Sequence, residues 1–230
     1  MPRVSNIVFA ARMLRPEVVA GCRVLDVGAC DFNGSIRPLL ESYGPAEYLG
    51  IDVLAGPCVD RVMDANDLVS EFGEESFDIV IAMEMLEHSP EWQHSVRAMK
   101  GVCKRGGLLV VTAPSHGYPY HGYPDDYWRY DLDDFRAIFS DCEIICLEHD
   151  PSGPGSQICV RKPQDFQEVD LIPIQLHSMV AGCRIESLQP EHWRSQHFRK
   201  VRMQQALARW GRQSLRGVGT KVRRLFRLSN

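Results

Sequence analysis

Three residues near the middle of the chain, Glu84, Glu87 and His88, stand at positions i, i+3 and i+4. On a helix that spacing puts all three on one face. Two carboxylates and an imidazole supply the N and O donors that suit a divalent cation such as Mg2+, so they form a candidate metal set. Further on, the segment from Ser115 to Tyr130 is dense in His, Tyr, Trp and Asp. Such groups stack on a sugar or aromatic ring and hydrogen-bond to hydroxyls, which makes Tyr123, Asp125, Asp126, Tyr127, Trp128 and Arg129 candidate substrate contacts. The aromatic members have a second use as a packed lid over the sheet edge, and Arg129 as the partner of an acid. His88, His116 and His121 are candidate general bases, because a neutral imidazole takes up a hydroxyl proton near pH 7. His116 or His121 has the alternative of completing a metal shell with Glu87 and His88.

These residues need elements to hold them. Val24, Leu25 and Val27 form a short apolar run interrupted by Asp26 and closed by Gly28. After Gly34, Ile36, Leu39 and Leu40 fall at helical spacing within Ser35 to Tyr43. Strand, glycine turn and helix form the layout of a nucleotide-cofactor site at the carboxyl end of a parallel sheet. Tyr48 to Asp52 gives a second strand ending in an acid, where a ribose-binding carboxylate is expected about 20 residues beyond the glycine turn. Val62 to Ala65 gives a third strand end with Asp64, Phe77 to Ala82 a fourth ahead of Glu84, and Leu108 to Pro114 a fifth. Helices are expected over 3–20 and Glu91 to Cys103, with another beginning at an Asp131 N-cap. Cys142 to Leu147 and Gln157 to Val160 read as the last strands, joined by a turn-rich loop from Asp150 to Gly155.

In this order and spacing the chain resembles the class I S-adenosylmethionine-dependent methyltransferases of the type 11 group. The matching motifs are Val24-Leu25-Asp26-Val27-Gly28, Gly50-Ile51-Asp52, Asp64-Ala65, Phe77-Asp78-Ile79-Val80, Met83-Glu84-Met85-Leu86-Glu87-His88 and Lys104-Arg105-Gly106-Gly107. The chain departs from the family's Gly-x-Gly-x-Gly after the first strand: Gly28 is followed by Ala29 and Cys30, and the next glycine is Gly34. The resemblance implies an α/β fold, a Rossmann-like doubly wound seven-stranded sheet with helices on both faces and a closing antiparallel hairpin. It further implies that S-adenosylmethionine is the cofactor. Asp26 and Gly28 would line its methionine and ribose end, Asp52 would take the ribose hydroxyls, Asp64 and Ala65 would meet the adenine edge, and Glu84 would lie near its amino-acid end. The Glu-x-x-Glu-His pattern is similar to that of metal-dependent 2′-O-methyltransferases of small RNAs and of quinone-precursor O-methyltransferases. The expected activity is methyl transfer to a hydroxyl of a sugar or small glycan, with Mg2+ as an optional aid. An RNA or a quinone or phenol hydroxyl is the alternative acceptor, and a non-catalytic scaffold a further alternative.

The remaining sequence divides the chain. Residues 1–162 hold the expected catalytic domain, and 163–230 a C-terminal extension with a basic helical tail. After Glu191 there are eleven Lys and Arg and no acid, so residues 1–191 hold all 30 acidic residues and only 15 of the 26 basic ones. The tail is expected to pack on the acidic body or a dimer mate, or to touch a membrane surface peripherally. The acidic body argues against nucleic acid as a partner. The eight cysteines are scattered without a Cys-x-x-Cys pair, which reads as buried reduced thiols. With no leader pattern at the N-terminus and no long apolar run, a cytoplasmic protein is expected.

Overall fold

A computed structural model describes residues 3–32, 34–122 and 125–207. Its centre is a seven-stranded sheet in the order β3-β2-β1-β4-β5-β8-β7. The strands are β1 (Arg23–Val27), β2 (Glu47–Asp52), β3 (Arg61–Val62), β4 (Phe77–Met83), β5 (Cys103–Ala113), β7 (Glu143–His149) and β8 (Ser156–Arg161). Strands β1 to β5 run parallel, and β8 is antiparallel to both β5 and β7. Alternation along each strand sends side chains to two apolar layers. Val24, Ile79, Ile81 and Val110 face one layer with Phe9, Leu14, Ile36 and Leu40. These come from α1 (Val4–Met13), α3 (Arg37–Glu41) and the residue before each helix or after it. Leu25, Val80, Leu109 and Ile158 face the other layer with Leu68, Trp92, Met99 and Phe135, carried by α4 (Leu68–Phe72), α5 (Trp92–Val102) and α6 (Leu132–Ile138). The doubly wound sheet with its closing hairpin is thus present.

Several local expectations shift. The single helix over 3–20 is two, because Pro16 opens a second short helix, α2 (Pro16–Val19), and Arg15 before it is extended. The third strand shrinks to two residues, and Asp64 caps a tight turn by accepting the amide of Asn66. Asp131 caps α6 in a capping box with Asp134. Segment 163–207 holds structure that its weak periodicity hides. β9 (Leu176–Ser178) and β10 (Arg184–Ile185) join β6 (Trp128–Arg129) in a separate antiparallel sheet. Residues 196–207 are helical, and Phe198 is buried against Tyr120 and Trp193. The tail beyond 207, including Trp210, lies outside the described residues. Among the described residues no helix is long and apolar enough to cross a membrane.

Gly50 keeps the second strand close to the loop after it. A Cβ there would lie 2.1 Å from the Cys58 carbonyl oxygen and 2.9 Å from Ala29 Cβ. We expect Gly50→Ala to destabilise the protein by about 1–3 kcal/mol through overpacking, as read from the urea midpoint. A midpoint equal to that of the parent would show that the loop yields freely.

Candidate active site

A cleft, open at its mouth, lies at the carboxyl ends of the parallel strands. Val27 and Gly28 after β1, Ile51 to Leu54 after β2, Met63 to Ala65 after β3, and Glu84, Met85 and His88 after β4 line it, together with Cys30, Phe32 and His121. The glycine loop holds its course despite the missing middle glycine. Gly28 and Ala29 both donate their amides to the Ile51 carbonyl, and Cys30 N–H donates to Asp52 Oδ2. Gly28 has φ +82°, and a Cβ there would press to 2.7 Å on Met85. Asp52 also accepts the Leu54 amide through Oδ1.

Asp26 does not line the cleft. Strand alternation turns it to the layer of α1 and α3, where it is buried and accepts a 2.7 Å hydrogen bond from the Tyr48 hydroxyl. Burial pushes its carboxyl up to about 6, against the lowering effect of that hydrogen bond.

Glu84, Glu87 and His88 are not on one helical face. Only Leu86–His88 make a tight 3-10 turn, because Pro90 forces Ser89 into extended backbone. Glu84 has φ +55°, a left-handed conformation rare for a residue with a Cβ. Its buried carboxylate turns to Arg3, 3.4 Å away. Burial first, and then the charge of Glu87, push Glu84 up to about 7. Arg3 also pairs with Asp150 at 3.1 Å and lies over the Tyr118 ring, which ties the start of α1 to the site.

Among the described residues, one set brings metal-ligating groups together: Glu87, His88 and His121, with ligand atoms within 4.8 Å of one another. The expected metal set therefore loses Glu84 and gains His121. His88 Nε2 is 3.7 Å and His121 Nε2 3.6 Å from the same oxygen, Glu87 Oε1. Glu87 is fully buried, and neither of its carboxylate oxygens has a hydrogen-bond partner. A buried carboxylate left so carries a large desolvation cost unless a cation meets it. Burial opposes its ionisation, but His88 and His121 outweigh that and hold Glu87 below the usual carboxylate range. Burial likewise opposes charge on His121, yet Asp126 and Glu87 push the imidazole up to about 9. His116 is elsewhere. It is exposed, its ring packs on His177 at 4.4 Å, and its amide is held by Asp131.

The expected substrate contacts also move. None of Asp125, Asp126, Tyr127, Trp128 and Arg129 lines the cleft. They stand behind its wall and brace the 86–88 turn, a role that spacing alone did not separate from ligand binding. Tyr127 N–H donates to the Glu87 carbonyl, Trp128 Nε1 to the Ser89 carbonyl, and the buried Tyr130 hydroxyl to the Leu86 carbonyl. The Asp125 carbonyl lies 2.6 Å from His88 Nδ1. Tyr123 lies outside the described residues.

Residues 25–111 match a family model described as a methyltransferase domain. Over 108 residues the chain is 36% identical to a ubiquinone biosynthesis O-methyltransferase of Xanthomonas euvesicatoria pv. vesicatoria (strain 85-10), covering 41% of this chain and 44% of that protein. Over 102 residues it is 32% identical to a 2-methyl-6-phytyl-1,4-hydroquinone methyltransferase of Synechocystis sp. (strain ATCC 27184 / PCC 6803 / Kazusa), covering 40% and 32%. The chain thus spans less than half the length of these curated relatives. Its fold is similar to that of the Burkholderia thailandensis 1,6-didemethyltoxoflavin-N1-methyltransferase, solved with S-adenosylhomocysteine. The TM-score is 0.54 at 15% identity, covering 70% of this chain and 78% of that one. A Haloferax volcanii methyltransferase solved with the Trm112 activator gives a TM-score of 0.56 at 16% identity, over 72% and 93%. Residues 25–111 thus resemble a methyltransferase domain, and the fold is that of the solved methyltransferases.

The raised Asp26 carboxyl makes a pH prediction. Between its unfolded value of 3.8 and its folded value of about 6 the native state binds the extra proton. Stability from this group is therefore full below pH 3.8 and falls as pH rises through 6. Asp26→Asn keeps an acceptor for Tyr48 without the charge. Its stability relative to the parent should rise by about 2 kcal/mol between pH 4 and pH 7, measured by urea unfolding at both. Parallel pH profiles would place the Asp26 proton elsewhere.

Proposed function

We propose that the chain is an S-adenosylmethionine-dependent O-methyltransferase that uses a divalent cation held by Glu87, His88 and His121. The observation that carries this reading is the buried, unpartnered Glu87 carboxylate facing two imidazole Nε2 atoms beside a cleft built for a nucleotide cofactor. Donors about 2.1 Å from one ion lie roughly 3–3.4 Å apart, so the observed 3.6 and 3.7 Å need only a small inward shift. When bound, the cofactor supplies an electrophilic methyl group and the cation lowers the pKa of an acceptor hydroxyl.

The chain's own residues bind and orient. Asp52, at the strand end, offers its remaining lone pairs to the ribose hydroxyls. Met63, Asp64 and Ala65 provide the adenine edge of the cleft, and Gly28 lets the ligand approach the backbone. With each imidazole turning Nε2 toward Glu87, the histidines serve as ligands. Glu84 lines the same cleft, and a carboxylate pushed up to about 7 is a stronger base than an ordinary one, which suits it to accept the hydroxyl proton.

The acceptor we favour is a phenol with a neighbouring oxygen, of the quinone-precursor kind. Phe32, Val53, Leu54, Met85 and Pro90 give the cleft an apolar lining. The curated relatives act, by name, in ubiquinone biosynthesis and on a hydroquinone. The sugar reading draws on the His, Asp and aromatic groups of the 115–130 loop together, and of these Asp125, Asp126, Tyr127 and Trp128 do not line the cleft.

Calorimetry with S-adenosylhomocysteine should give micromolar binding, weakened at least tenfold in Asp52→Ala with the melting temperature kept. Catechols should be methylated with added Mg2+, and more readily than monosaccharides. Glu87→Gln and His88→Ala should lose at least 100-fold in turnover while S-adenosylhomocysteine binding survives. Full turnover in both variants after chelation would reject the cation, and failure to bind S-adenosylhomocysteine at millimolar concentration would reject the enzyme reading.

A further inference from the structure

We infer that the buried ion pair between Asp126 and Arg129 is a positioning device that turns the Nε2 atoms of both His88 and His121 onto Glu87. The inference rests on the reading that these three residues hold a divalent cation.

Arg129 is 1% exposed and has five N–H groups, all of them used. Nη1 donates to Asp126 Oδ1 at 2.5 Å and to the Trp128 carbonyl at 2.7 Å. Nη2 donates to Asp126 Oδ2 at 2.7 Å and to the Pro119 carbonyl at 3.1 Å, and Nε to the Tyr118 carbonyl at 3.1 Å. The guanidinium therefore joins the incoming strand of the loop, at 118–119, to the outgoing one, at 126–128. A lysine could not make this fork.

Asp126 passes the constraint to His121. Its Oδ2 accepts the His121 backbone amide at 2.9 Å and lies 2.9 Å from Nδ1 of the same residue. The Nδ1 contact is an ion-pair contact that lacks hydrogen-bond alignment. The adjacent Asp125 carbonyl, 2.6 Å from His88 Nδ1, does the same for the second imidazole. Both rings are thus approached at Nδ1 by consecutive residues and left with Nε2 at 3.6 and 3.7 Å from Glu87 Oε1. The Asp125 carbonyl at Nδ1 of His88 fixes the proton there and leaves its Nε2 lone pair for a metal, and the Asp126 carboxylate beside Nδ1 of His121 favours the same tautomer by its charge. Arg129, through Asp126, sets the place of both acceptors. A pair that only anchored the loop would have no reason to meet either ring nitrogen.

The test uses the full chain and Mn2+ as the probe. In wild type, calorimetry gives a Mn2+ affinity. In Asp126→Asn that affinity should fall 10–100-fold, while S-adenosylhomocysteine affinity stays within about twofold and the melting temperature shows a folded protein. Long-range 1H–15N spectra of wild type with Zn2+ should show both imidazoles protonated at Nδ1 and ligated through Nε2. This arm stands even if Asp126→Asn fails to fold. Unchanged Mn2+ affinity in a folded variant, or Nδ1 ligation by either ring, would overturn the positioning role and leave the cation reading intact. No Mn2+ or Zn2+ binding by wild type would overturn the cation reading, and the positioning role with it.

Discussion

The site depends on the capture of one short turn. Leu86–His88 cannot continue as a helix, since Pro90 follows, and a single 3-10 turn has little stability of its own. Its carbonyls, and that of Ser89 just after it, are instead taken up from outside, by the Tyr127 amide, the Tyr130 hydroxyl and the Trp128 indole. Those three donors are consecutive or nearly so because β6 runs extended past the turn. β6 is in turn paired with β9, so the small antiparallel sheet holds the brace from behind. The C-terminal segment thereby has a mechanical connection to the cleft although none of its described residues lines it.

Four carboxyl groups at the carboxyl ends of the strands meet four different environments, and this divides their roles. Asp52 stays half-exposed at the cleft and accepts two backbone amides. Asp26 is buried with one neutral donor and is raised. Glu84 is buried beside another acid and is raised further, with Arg3 as its restraint. Glu87 has no hydrogen bond but two imidazoles, and is lowered. Burial disfavours charge in all three buried cases; it prevails at Asp26 and Glu84, and the two imidazoles outweigh it at Glu87.

The sheet was legible because its strands are short apolar runs ending in glycine or an acid, and that pattern is local. Asp52, Asp64, Gly28 and Glu84 were found at the cleft for the same reason: strand order fixes what lies at a strand's carboxyl end. Asp26 was misplaced because its role turned on strand parity, which Tyr48 decides from another strand. The helical reading of Glu84 to His88 failed on a cue that was present, Pro90, and on one that was not, the left-handed backbone of Glu84. β9 and β10 escaped because strands of two or three residues have no period to read.

The segment from His121 to Arg129 shows the deeper ambiguity. Aromatic, acidic and basic residues in one loop are what a sugar site contains, and also what a loop needs to fill its own interior with satisfied polar groups. Only the direction of the side chains separates the two. Arg129 spends all five donors on its own loop, so it has none for a ligand. His121 is the one described member of the segment that reaches the cleft. The polar content of the loop therefore tells more about how firmly that imidazole is held than about what the cleft receives. The acceptor is better read from the side chains facing the cavity, and those are chiefly apolar.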